Sequence, residues 1–216
     1  MKNLPIGAPA LLTLGLLWPP APATAKSACG EAARTPTVGG WAEYATTRGD
    51  YRLAVVGSEV KGGATFYWME ISGAGEQGSG TSVVQVLIAG YPYQADGIQG
   101  MVVQMGAQPP VRMPEQMIAR MRAQLDNSEA AGLIRDCDRW TQLGAESVTV
   151  GAGTLETMHL KDPETGNEVW VSSQVPFGLV KANTKASGSL TLAAYGSDAK
   201  SSLTGTPIDM PMPEQQ

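Results

Sequence analysis

The stretch Gly166–Lys181, GNEVWVSSQVPFGLVK, constrains the fold of this chain more than any other. Val169 and Val171 alternate with Trp170 and Ser172, the two-residue period of a strand whose faces meet different surroundings. Pro176 has no amide hydrogen to give to a ladder, and Gly178 accepts backbone angles that side chains disfavour. Val175-Pro176-Phe177-Gly178 must therefore turn the chain sharply. Leu179-Val180-Lys181 then starts a second strand, so strand, tight stop and strand fit into sixteen residues.

Strands are expected from Gly39 to Tyr44, from Tyr51 to Val60, from Thr65 to Ile71, from Thr81 to Ala89 and from Met101 to Met105. Lys61-Gly62-Gly63 is a hairpin turn, and TSVVQVLIA, the most apolar run, is expected inside the sheet. Gly73 to Gly80 is a Gly-rich connector that lacks the Lys-Ser/Thr and following helix of a phosphate-binding loop. Five strands without intervening helices point to an antiparallel meander and not to a doubly wound sheet.

The period then changes. Pro114 suits a first helical position and Glu115 a first turn. Met117, Ile118, Met121 and Leu125 fall on one helical face. Ser128 can recap a second helix, expected from Glu129 to Trp140. Strands resume at Ser147–Val150, Thr154–Lys161, around Trp170, after Gly178 and at Ser189–Tyr195. Asp162-Pro163-Glu164-Thr165-Gly166 is a strong turn signal.

The first twenty-five residues read as a cleaved export signal. Lys2 is the positive start, ALLTLGLLW a short apolar core and Ala23-Thr24-Ala25 the cleavage site. A periplasmic or secreted location follows. One domain is expected over residues 26–206, with a disordered tail at 207–216. No later segment is apolar and long enough to span a bilayer as a helix. The net charge is −5 with no basic cluster, which gives no footprint for nucleic acid. Cys29 and Cys137 are the only cysteines. In an oxidising compartment they are expected to pair, and acylation of Cys29 is the alternative reading.

The segments VTVGAGTLETMHLK, EVWVSSQVPFGLVK and LAAYGSDAKSSLTGTP resemble a group of uncharacterised exported bacterial proteins of the lipoprotein-carrier (LolA/LolB/LppX-like) superfamily, over roughly Val38 to Pro207. The resemblance implies an α+β fold: a strongly curved antiparallel sheet, a half-open barrel of about 9–11 strands, with a central helical insertion near 114–140 over its concave face. In such carriers the cavity holds acyl chains. No residue-level binding motif of theirs matches this chain.

Ligand-lining candidates come from the residues instead. Trp41, Trp68 and Trp170 lie in three strands, and Met117 and Met121 bring flexible, polarizable side chains to one helical face. Each also suits a plain packed core. His159 is the only histidine; with no G-x-S-x-G elbow it reads as a surface or edge residue. One histidine makes zinc improbable, and Asp162, Glu164, Thr165 and Asn167 fit a solvated turn and no calcium loop. Glu43 and Glu70 would form an acid–base pair if both faced a barrel interior; solvent-facing positions are the default. The expectation is an exported binding protein for a lipid or other hydrophobic ligand, with no catalytic residue, metal or cofactor. The alternative is a structural or partner-binding envelope protein with a filled core.

Overall fold

A computed structural model describes residues 37–74, 81–90, 97–126, 139–185 and 188–210 of the 216-residue chain. The expected signal sequence and both cysteines lie outside these residues, as does the expected second helix up to residue 138.

The first meander is β1 (Trp41–Thr46), β2 (Tyr51–Lys61), β3 (Ala64–Ala74), β4 (Thr81–Ile88), β5 (Gly100–Met105) and the two-residue β6 (Val111–Arg112). Helix α1 (Glu115–Asp126) follows. The second meander is β7 (Thr141–Val150), β8 (Gly153–Lys161), β9 (Glu168–Val171), β10 (Leu179–Thr184) and β11 (Gly188–Gly196), and β12 (Ile208–Asp209) comes last. All twelve form one sheet in the order β12-β6-β5-β4-β3-β2-β1-β11-β10-β9-β8-β7. Every pairing is antiparallel except β12 with β6. The two meanders thus join where β1 meets β11, and the sheet ends at two separate edges. It is curved and unclosed: the β7–β8 turn reaches β11, three strands away, where the Ala152 amide donates to the Leu192 carbonyl at 3.3 Å.

Two expectations need correction. The sheet has twelve strands and not 9–11, the excess coming from the two-residue strands β6 and β12. The central helical insertion is reduced among the described residues to α1, and Arg139-Trp140, the end of the expected second helix, is not α-helical. Strand β7 begins at once, six residues before the expected Ser147. Its start was hidden because Gly144 sits at a register shift that breaks the alternation.

Register explains the core. Ala42 pairs with Leu53 and Tyr44 with Tyr51, Val55 pairs with Met69, and Met69 and Val86 continue the row to Met101. Across the junction Tyr44 pairs with Leu192, then Leu190 with Ala182, Ala182 with Val169 and Val169 with Leu160. This face is apolar from β5 to β8. Helix α1 meets the sheet at β5, where Ile118, 3% exposed, and Met121 join the core cluster.

The Val175–Gly178 bend is as tight as its sequence demands. The Ser172 amide donates to the Gly178 carbonyl at 2.8 Å, and the Gly178 amide to the Val175 carbonyl at 3.0 Å. Phe177 and Gly178 have φ of 64° and 70°. Phe177 is 1% exposed, and the Tyr44 hydroxyl donates to the Leu179 carbonyl at 3.2 Å.

The opposite face of the first meander is covered by the segment Ser197–Pro207, which crosses the strands as a strap. The Ala199 amide donates to the Gly39 carbonyl at 2.8 Å. Further along, Ser202 and Thr204 bind side chains of β3 and β5. The strap ends in β12, so the chain expected to be a tail from Pro207 enters the sheet through Ile208 and Asp209 before the described residues end.

Candidate functional site

Tracing the register from β1 through β11 and β10 to β9 places Trp41, Trp68 and Trp170 all on the face opposite Tyr44. They are not brought together. Trp41 donates its indole N–H to Asp198 of the strap at 2.8 Å, with the Arg52 guanidinium 4.8 Å from the ring centroid. Trp170 lies between His159, stacked at 4.1 Å, and the Lys181 ammonium at 4.5 Å, and donates to Glu146. Both indoles are satisfied by local polar partners. Trp68 lines a pocket.

That pocket has a volume of about 560 Å³. Trp68, Gly100 and Val102 contribute from the sheet, Met113 and Ile118 from the start of α1, and Pro207 from the end of the strap. Lys61, Glu59, Gln99, Arg112 and Glu115 supply the polar part of the lining. Gly100 matters by its size: a Cβ there would lie 3.3 Å from the Trp68 ring. Most lining charges have partners. Lys61 Nζ is 2.7 Å from Glu59, and Arg122 is 2.8 Å from Glu115. Arg122 also donates to the Ile98 carbonyl, which pins α1 to the chain entering β5.

The helical methionines part ways. Met121 is partly buried against the core, whereas Met117 is 37% exposed. The apolar stripe of α1 is centred on Ile118, one position round from Met117.

Glu70 is 0% exposed. It accepts from the Ser202 amide at 3.0 and 3.2 Å, from Gln85 Nε2 at 2.8 Å and from the Ser201 hydroxyl at 3.4 Å. These donors replace the water lost on burial. Gln104 repeats the device, donating to the Thr204 carbonyl at 3.3 Å and accepting from the Thr204 amide at 2.9 Å. Glu43 lies on the same face but pairs with Arg52 at 3.7 Å. Glu70 is committed to the strap, so the two carboxylates serve different neighbours.

His159 stands between carboxylates, its Nδ1 3.7 Å from Glu146 and its Nε2 3.5 Å from Glu168. Lys161, hydrogen-bonded to Glu168 at 2.9 Å, is the main cause holding the Glu168 carboxyl below its usual range. In the Asp162–Asn167 turn, Asp162 accepts from the Thr165 hydroxyl and from the Glu164 amide at 2.9 Å, which lowers its pKa in the same direction. Groups with depressed folded-state pKa values add stability that is present above the unfolded value and is lost as pH falls through the folded one. The thermal midpoint is therefore expected to drop as pH is lowered from about 5 to about 3. The fall should be modest, because these carboxylates face solvent, and added salt should blunt the Lys161–Glu168 part of it. Melting curves at several pH values check this; a midpoint that is flat or rising over that range is the contrary result.

Among the described residues no group of three or more His, Cys, Asp or Glu side chains is placed to hold a metal ion, and no helix is long and apolar enough to cross a membrane. Compared with models of protein families, with curated proteins and with solved structures, the chain gives no match in any of the three.

Sequence reasoning missed most of the pocket. Its polar residues come from β2, the β4–β5 connection, β6 and α1, and Pro207 closes it from the segment taken for a tail. One signal was present: Gln85 and Gln104 each interrupt an otherwise apolar strand at positions facing the same way. A row of polar side chains in buried strands implies something polar lying across them.

Proposed function

We propose that this protein is an exported, non-enzymatic binding protein of the lipoprotein-carrier type, holding a hydrophobic ligand such as an acyl chain where the curved sheet meets α1. The observation that carries this reading is the pocket of about 560 Å³ between Trp68, Met113, Ile118 and Pro207. Its size falls within the range of small-molecule sites, and strands β2 to β6 and helix α1 supply most of its walls. The helix–sheet contact through Ile118 and Met121 supports the half-barrel reading on the core face, and Glu115 and Ile118 bring the start of α1 into the cavity wall.

The test is a titration of the purified protein with a neutral fluorescent naphthylamine probe. Stoichiometric, saturable binding is expected while the protein is folded, with loss on unfolding in urea. Native mass spectrometry of protein from its own host should show a retained ligand as added mass. Absence of saturable binding overturns the proposal.

A second reading, a partner-binding envelope protein, draws on the edge strand β7. It is paired on one side only and leaves Leu143 51% exposed. Free edges of this kind accept added strands. This reading expects no saturable probe binding, so the same titration separates the two.

A further inference from the structure

We infer that the pocket beside α1 selects an amphiphile with an anionic head, seated with its head at Arg112 and its apolar body against Trp68. This inference rests on the ligand-binding reading above. It starts from the mixed lining, in which Trp68, Val102, Met113, Ile118 and Pro207 share the pocket with charged side chains such as Arg112. A bare hydrocarbon makes no use of a charged side chain in the lining, whereas a ligand with a polar head can bind one.

The sign of the head follows from pairing. The pocket has two lining cations, Lys61 and Arg112. Lys61 is held by Glu59 at 2.7 Å. Among the described residues Arg112 is paired with Asp209 alone, 3.8 Å away, with the two side chains 60% and 88% exposed. The two lining carboxylates are both engaged, Glu59 by Lys61 and Glu115 by Arg122 at 2.8 Å. The least committed charge at the mouth is therefore positive, and a guanidinium binds carboxylate and phosphate oxygens in a forked geometry. The backbone of Arg112 is well placed for the role. It sits in β6, where its carbonyl accepts from the Met210 amide at 3.2 Å and β12 runs alongside. The body has its own platform in the Trp68 ring, which packs against Gly100 of β5, where a Cβ would lie 3.3 Å from it, and lines the pocket beside Val102 and Ile118. Trp41 and Trp170 each give their indole N–H to a carboxylate; no such bond occupies Trp68.

Three ligands with the same tail and different heads test this: dodecanoate, dodecyltrimethylammonium and dodecyl maltoside, each below its micellar concentration and at low salt, competing against the neutral probe. Dodecanoate is expected to displace the probe at a concentration about tenfold lower than the other two, the scale of one charge-assisted contact. Arg112→Gln should bring dodecanoate and the maltoside to equal displacement when both are compared within that variant, and Arg112→Lys should keep part of the difference. Arg112 is largely exposed, so these variants should fold, which the melting temperature verifies. Equal displacement by all three heads overturns the inference while leaving the binding function intact. A dodecanoate preference that survives Arg112→Gln likewise overturns it. Failure of the probe itself to bind would instead overturn the reading on which the inference rests.

Discussion

Phe177→Ala is expected to cost about 3–5 kcal/mol of stability, the usual toll for deleting a buried aromatic side chain, and Phe177→Gly to cost less than the alanine change. The usual order is the reverse, since glycine carries more backbone entropy into the unfolded state. Here Phe177 has φ of 64° while being 1% exposed. It is the one positive-φ residue other than glycine among those described. A left-handed conformation costs a side-chain-bearing residue about 1–2 kcal/mol. Alanine loses the ring and keeps that strain; glycine loses the ring and sheds it. The strain is tolerated because the bend delivers the ring to the core while joining β9 to β10. Urea unfolding of the three proteins measures the order directly. A glycine variant less stable than the alanine variant would show that the bend holds no strain.

Removing the Glu70 carboxylate is expected to loosen the strap. Its acceptors take the Ser202 amide, Gln85 and the Ser201 hydroxyl. In Glu70→Gln one oxygen becomes a donor facing other donors, and the charge assistance goes; the expected cost is about 2–3 kcal/mol. In Glu70→Leu the Ser202 amide and the buried Gln85 side chain lose their carboxylate acceptor, and the expected cost is about 3–4 kcal/mol. A local readout accompanies the global one. Lys200 lies in the strap, and its side chain is exposed. Cleavage by trypsin needs the backbone around Lys200 to lift off the sheet, so nicking there should be slow in the natural protein and faster in both variants. Unchanged nicking and an unchanged melting temperature would mean that Glu70 does not hold the strap.

Much of the sheet was legible because its determinants are local. The alternation around Trp170 and the apolar run of Thr81–Ile88 need only near neighbours to be read, and turns such as Gly62-Gly63 and Val175–Gly178 announce themselves by residue type. The helix of Glu115–Asp126 was visible from Pro114 and the apolar period, although the exposed side of that period, Met117, was misplaced by one position. The lining candidates were less legible. Tryptophans in strands look alike in sequence, yet Trp41 and Trp170 are occupied by Asp198 and Glu146 while Trp68 faces a cavity. The difference lies in partners between 24 and 157 residues away.

The sequence by itself determined an antiparallel strand-rich chain with one strong helix and its hairpin stops, because these follow from side-chain period and backbone permissiveness. Tertiary structure alone decided that β1 meets β11, that Ser197–Pro207 crosses the first meander over Glu70 and Gln104, and that Arg112, Trp68 and Pro207 share one pocket. Those arrangements depend on pairings between segments far apart in the chain. Many registers satisfy a strand's own alternation, and only simultaneous burial of both faces selects one of them.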